Sequence, residues 1–367
     1  MLLLLVRHAE SENNALLDRL RTEHGGHDDG DDEAMKEQYS LLKSTDPGLS
    51  ELGTEQAMRC SEWIPSYLRS MDFLPAGYRT ELVSSPMERA LRTAEALAVQ
   101  QSTQVEIWSD VHETKGCWKG GQAAPSSGRG ASEILAAVGT EHFRNSAAAP
   151  VPGSGWWTDA ASGAAREKET DAESCERALR VAARLRAQAL AVEEPTVKIL
   201  VTHGNWMSLL VQALLLPQGT ALNVSAVRHD NTAVSAIVLP GAAESPCTLV
   251  QLNRSEHLDA EPAIRRTRQQ IALSGFGEDG RRPSGWAAPA AASDVAGKQQ
   301  QGTKERRGKE RSSAGWSADS LQEAFDESPA LLAGIVGSVV VAGGLAVLAA
   351  ARAGTRSTCV LEQALKL

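Results

Sequence analysis

The chain opens MLLLLVRHAESENN, and its apolar run from Leu2 to Val6 meets Arg7, His8 and Glu10 with no turn residue between. A short continuous apolar run reads as a strand covered on both faces. Polar residues at the carboxyl end of such a strand mark the edge where α/β sheets bind ligands. The competing reading is a secretory signal, which needs a basic leader, a longer apolar stretch and a small-residue cleavage site. Here the run is short and ends in Arg-His, which favours the strand.

The same form recurs in TELVSSP (80–86) and TVKILVTHG (196–204), each a short apolar, β-branched stretch ending in small or polar residues. Helical patterns follow both, at 87–100 and 205–216, and further helices are expected at 50–70 and 171–192. In the last of these, Ala178, Val181, Ala182, Leu185 and Leu190 form an apolar face. The alternating segments 232–240 and 248–253 read as late strands forming a hairpin. Strands alternating with helices predict a parallel or mixed sheet covered by helices.

Two stretches break the pattern. Residues 21–38 are acidic and glycine-rich, and residues 119–170 are rich in Gly, Ala, Ser and Pro. Both are expected to be surface insertions or lids. His24, His27, Asp28 and Asp29 fall in the first, where a solvated acidic loop is favoured over a metal site because no scaffold fixes them as ligands. No metal and no cofactor are called for. The five cysteines are scattered and lack a CxxC pair, which speaks against a disulfide framework or a zinc site. A net charge of −9 argues against a general nucleic-acid binder, which would carry a basic stripe.

Beyond about residue 275 the composition shifts to Gly, Ala, Ser, Gln and charge, including KERRGKER at 304–311. Such a segment buries too little apolar surface to fold alone, so 276–329 reads as a flexible linker. Then come the 22 uncharged residues of 330–351, close to the ~20 that cross a ~30 Å hydrocarbon core. A buried Ala/Gly-rich helix is the alternative, but no surrounding domain exists to bury it. With only 352–367 following, the expectation is a single-pass C-terminal anchor that leaves the catalytic domain in the cytosol, at a membrane not specified. Gly334, Gly337, Gly343 and Gly344 would allow close helix packing, and hence a homodimer.

Candidate chemistry sits at the predicted strand ends: Arg7-His8 after the first, Arg89 past SSP, Glu113 in DVHETKGCW, and His203 in VTHG. Buried arginines need anions, and no carboxylate is obviously placed beside these two. Glu10 is read as a rim or structural residue and His112 as facing solvent. Asp46, Pro47 and Leu49 are read as shaping the turn into the 50–70 helix. His229, Asp230 and Asn231 follow the last crossover and are candidates to reach the site.

In order, LVRHAESENN, DPGLSELGTEQA, SSPMERALRTA and VTHGNWMSLL resemble the motifs of the histidine phosphatase superfamily, phosphoglycerate-mutase-like, branch 1. HDNTAVSAI and LNRSEHL resemble the way its domains often close, so the likeness covers roughly residues 1–260. It implies a three-layer α/β/α sandwich around a mostly parallel sheet, here residues 1–275 with insertions near 15–45 and 119–170. It also implies phosphoryl transfer through a phosphohistidine. His8 would attack phosphorus, which needs one unprotonated ring nitrogen, and nearby arginines favour that form. Arg7 and Arg89 would clamp the equatorial oxygens, and His203 would add a hydrogen bond. Glu113 would protonate the leaving oxygen and then help activate water. Ser11 and Asn14 match the RHxxSxxN positions and would line the phosphate pocket.

Ala9 departs from the usual glycine, a tolerable extra methyl. The mutases proper resemble ERHYGxLxGxNK around the acid, whereas this chain has ETKGCWKGGQ, so their substrate-binding residues do not carry over. A phosphatase acting on a phosphorylated small molecule or phosphoprotein is therefore favoured. The alternatives are a phosphoglycerate-mutase-type phosphotransferase and a membrane-tethered, non-catalytic binding protein.

Overall fold

The computed structural model of the protein describes residues 1–24, 33–117, 126–159, 161–243 and 245–259. The predicted linker, the apolar span 330–351, the tail and His27, Asp28 and Asp29 lie outside the described residues. Among those described, no helix is long and apolar enough to cross a membrane.

The opening run forms strand β1 (Leu2–Arg7), buried along its whole length. Successive side chains of a strand leave on opposite faces, and here each face meets helices. Leu2, Leu4 and Val6 pack with Cys60, Ile64 and Leu68 of α3 (Glu51–Arg69) and with Ala90, Leu91 and Ala94 of α4 (Glu88–Gln101). Leu3 and Leu5 pack with Ala178, Val181 and Leu185 of α6 (Asp171–Ala191) and Met207 and Leu210 of α7 (Gly204–Leu215). The unbroken run of leucines is thus the signature of an inner strand in a three-layer α/β/α arrangement.

The remaining strands are β2 (Arg79–Ser84), β3 (Val105–Ile107), β4 (Phe143–Asn145), β5 (Thr196–Thr202), β6 (Val234–Val238) and β7 (Thr248–Arg254). They form one seven-stranded sheet in the order β4-β3-β2-β5-β1-β6-β7. The first five of that order are parallel, and β6 and β7 add the expected antiparallel hairpin. β5 pairs from Leu2↔Val197 to Arg7↔Thr202 on one side and from Arg79↔Thr196 to Ser84↔Val201 on the other. The carboxyl ends of β1, β5 and β2 therefore finish level. Because β6 runs the other way, the loop leading into it arrives at the same edge, where Arg7 N donates to Ala233 O (3.2 Å).

Residues 119–170 are more than a surface insertion. The described part includes α5 (Ala131–Val138) and edge strand β4, which pairs with β3 through Val105↔Phe143. Ile134, Val138, Phe143, Val151, Trp156 and Trp157 join the core. The bulk composition of Gly, Ala, Ser and Pro hid these few large apolar residues, and they are what anchors the segment. The earlier stretch stays closer to expectation. α1 (Glu12–Glu23) and α2 (Glu33–Leu42) bury only Leu20 and Met35 respectively.

Helix α3 begins against the loop that leaves β1. Ser50 N donates to Glu10 O (3.0 Å), and Ser50 Oγ caps the helix by accepting from Gly53 N (2.9 Å). A Cβ at Gly53 would stand 1.9 Å from the Glu10 carbonyl oxygen, so only glycine permits this approach. We expect Gly53→Ala to lower the unfolding free energy by about 1–3 kcal/mol, measured by urea denaturation. An unchanged midpoint would contradict the packing.

Candidate active site

His8 leaves β1 with its N–H donated to Thr202 O (2.8 Å), which extends the β1–β5 ladder by one residue. The side chain is 3 % exposed. Its Nδ1 lies 2.7 Å from Ala9 O. A carbonyl only accepts, so Nδ1 carries the hydrogen and Nε2 keeps its lone pair. Burial, then the charges of Arg89 and Arg7, hold the ring's pKa well below the ordinary 6.5, against the opposing Ala9 carbonyl. His8 is thus a neutral imidazole with an unprotonated Nε2 at neutral pH.

Two guanidiniums flank it. Arg7 closes β1 and is 5 % exposed; one terminal nitrogen donates to His229 O (2.8 Å). Its Nε is buried without a hydrogen-bond partner among the described residues. Burial lowers its pKa to about 10, opposed by Glu113 and Asp230, so it stays charged. Arg89 lies in the first turn of α4, with Nε 3.2 Å from His8 Nε2. Asp46 Oδ1 stands 3.9 Å from another nitrogen of Arg89. The expectation that neither arginine has a carboxylate beside it therefore fails for Arg89. Asp46 does more than shape a turn: it also accepts from Glu88 N (2.9 Å) and faces Arg129. The pairing could not be read locally because 42 residues separate Asp46 from Glu88.

His203 caps the start of α7 and is fully buried, its ring centroid 5.1 Å from that of His8. Its Nε2 lies 2.7 Å from Ser85 Oγ, which also accepts from Met87 N (3.3 Å). A buried hydroxyl hydrogen needs an acceptor, and among the described residues Ser85 has that one. The hydroxyl therefore donates to Nε2, and the ring hydrogen sits on Nδ1, a buried donor with no partner among the described residues. Burial, then Arg89, depress the pKa of this ring also.

Glu113 follows a turn of 3-10 helix at Ser109–Val111. Its Oε1 accepts from Thr114 N (2.8 Å) and from Trp206 N (3.0 Å). Trp206 lies in the first turn of α7, where backbone N–H groups lack helical partners and are free to hold a carboxyl oxygen. The bond to Trp206 N, three residues past His203, brings Glu113 to the same sheet edge.

Ser11 and Asn14 are engaged with each other. Ser11 caps α1 by accepting from Asn14 N (3.2 Å), while Asn14 Oδ1 accepts from Ser11 N (3.2 Å) and Ser11 Oγ (3.0 Å). Of the three late candidates, His229 serves Arg7 through its carbonyl, and Asn231 Nδ2 donates to His8 O (2.8 Å). Asp230 pairs with Arg228. Glu10 is buried and accepts from Ser50 Oγ (2.7 Å), a structural role.

His112 does not face solvent: it is 4 % exposed, with its ring 5.2 Å from Trp156 and 5.1 Å from Trp157. The tryptophans come from the segment read as an insertion, which explains the error. Thr93, within SSPMERALRTA, joins the loop after β1 to α4: its Oγ1 accepts from Ala9 N (3.0 Å) and donates to Arg89 O (2.8 Å). Gln56 likewise accepts from Glu10 N (2.8 Å). Their signal was present, four residues after Arg89 and three after Gly53. No group of three or more His, Cys, Asp or Glu side chains disposed to hold a metal occurs among the described residues.

Residues 3–129 match the model of the histidine phosphatase superfamily (branch 1). No curated protein matches the chain. Similar solved structures include the alpha-ribazole phosphatase of Shigella flexneri, at 22% identity over 70% of this chain and 97% of that one, with a TM-score of 0.39. A phosphoserine phosphatase mutant from Entamoeba histolytica is 18% identical over 70% and 98%, TM-score 0.39. A mycobacterial glucosyl-3-phosphoglycerate phosphatase is 22% identical over 69% and 99%, TM-score 0.40. At these levels the likenesses carry no argument about substrate. The matched residues 3–129 hold Arg7, His8, Arg89 and Glu113, and it is this part of the chain that is similar to the histidine phosphatase superfamily, branch 1.

Proposed function

We propose that the protein is a phosphomonoesterase working through a phosphohistidine on His8. The observation that carries this reading is the set of buried donors at one sheet edge. Arg7 Nε and His203 Nδ1 lack partners among the described residues, and both flank a neutral histidine. Buried donors of this kind call for an anion rich in acceptors, which a phosphoryl group is.

In the first step His8 Nε2 attacks phosphorus. Its lone pair must first be released from Arg89, and an anionic phosphoryl oxygen is the better acceptor for a guanidinium. Arg7, Arg89 and His203 Nδ1–H then bind the equatorial oxygens as charge spreads over them. The phosphorus–oxygen bond to the leaving group breaks. Glu113, with Oε1 held by two backbone N–H groups, delivers a proton from Oε2 to the departing oxygen. In the second step the Glu113 carboxylate takes a proton from water as that water attacks phosphorus. The phosphorus–nitrogen bond breaks and His8 is restored. Ser11 and Asn14 enter as the pair that fixes the loop after His8. The sequence ETKGCWKGGQ beside the acid favours hydrolysis over mutase chemistry.

Residues 330–351 are proposed to cross a bilayer, on the strength of their uncharged length. The full chain should then stay in the membrane pellet in alkaline carbonate, and its release to the supernatant would overturn the proposal.

Incubation with an aryl phosphate should trap an acid-labile phosphoenzyme, and His8→Ala should lose it together with roughly three orders of magnitude or more of turnover. Arg89→Ala should cost about 100- to 1000-fold in kcat. Equal turnover by His8→Ala would sink the reading, and dependence on a bisphosphorylated primer would turn it to a mutase. The depressed pKa of His8 fixes a sign. The nucleophile is lost only as pH falls through a value well below 6.5, so His8 should remain neutral by 15N NMR at pH 6. An imidazolium at that pH would contradict the site electrostatics.

A further inference from the structure

Arg177 of α6 and Glu169, each 4 % exposed, form a buried pair with two parallel bonds, Nε to Oε1 at 2.8 Å and a terminal nitrogen to Oε2 at 2.7 Å. The other terminal nitrogen donates to Asp110 O (3.1 Å) and His112 O (2.9 Å). A longer contact, 3.5 Å, reaches Glu113 O. All five guanidinium N–H groups are thus engaged, three of them on carbonyls of the turn that ends in Glu113.

We propose that the Arg177–Glu169 pair is the positioning device for the Glu113 carboxyl; this rests on the phosphatase reading above. The segment it holds has no regular ladder of its own between the 3-10 turn and Gly116; Glu113 O is met locally by His112 Nδ1 (2.8 Å) and Gly116 N (3.4 Å), while Asp110 O and His112 O take their donors from Arg177. The same guanidinium lies 5.5 Å from the Trp206 ring, and Trp206 N holds Glu113 Oε1. Backbone and carboxyl of Glu113 are therefore fixed by groups that Arg177 touches. Glu169 is itself held by Ser174 Oγ (2.7 Å), and its N–H donates to Lys115 O (3.3 Å). Further along α6, Arg184 grips Asp110 with two bonds, 2.7 and 2.8 Å. A buried ion pair is a weak source of stability compared with apolar packing. Here its spare donors supply what an apolar pair could not, a fixed path for the acid's backbone. Lysine keeps the charge but lacks the fork that makes two parallel bonds and reaches three carbonyls.

The test is leaving-group dependence in the full chain. An alkyl phosphate needs its departing oxygen protonated, whereas 2,4-dinitrophenyl phosphate does not. Arg177→Lys should lower kcat on the alkyl ester about 100-fold and on the dinitrophenyl ester less than about 3-fold, with the phosphoenzyme still trapped. Glu113→Gln should show the same split, and the double variant should be no worse than Glu113→Gln alone. Glu169→Gln, and in weaker form Ser174→Ala, carry the test if Arg177→Lys does not fold. Equal losses on both esters, or no loss on either, would overturn the positioning role. Absence of His8-dependent turnover of both esters by the unsubstituted chain would instead remove the phosphatase reading, and the positioning role with it.

Discussion

Three parallel strands that stop at the same level set the terms for everything else in this molecule. β5 pairs with β1 and β2 along nearly their whole lengths, so the residues just past each strand share one edge. A single-residue slip in either ladder would turn side chains to the opposite face. In β1 every residue from Leu2 to Val6 is apolar and buried, so the register is marked at the strand's end instead, where Arg7 N donates to Ala233 O and His8 N to Thr202 O. Those bonds, with Ser85 N donating to Val201 O, set His8, His203 and Ser85 at one edge.

The electrostatics follow from that crowding. Two arginines and two histidines are buried within a few ångströms, an arrangement that could not survive with every group charged. The conflict is resolved by leaving the guanidiniums cationic and the imidazoles neutral. Asp46 and the His229 carbonyl offset the cations. Each ring is set by one neighbour, Ala9 O for His8 and Ser85 Oγ for His203. The outcome is one histidine presenting a lone pair and another presenting a hydrogen.

The elements that were legible share a local signature. The strands at 2–7, 79–84 and 196–202 announced themselves as apolar runs, and the helices at 51–69, 88–101, 171–191 and 204–215 by their spacing. The misread segment, 119–170, failed because average composition conceals a few buried anchors such as Phe143 and Trp157. His112 was misplaced for the same reason, since its burial depends on those tryptophans.

By itself the sequence determined the sheet's inner strands and the residues that stand at their ends: Arg7, His8, Arg89 and His203. Those assignments rest on periodicity and motif, which are properties of a short stretch. Only the tertiary structure decided the partners: Asp46 for Arg89, Ser85 for His203, Asn231 for His8, and Arg177 for the turn carrying Glu113. The His8–Asn231 bond spans 223 positions and the Arg177–His112 bond 65. A hydrogen bond belongs to two groups brought within 3 Å or so, and no pattern confined to one segment records where the other will lie.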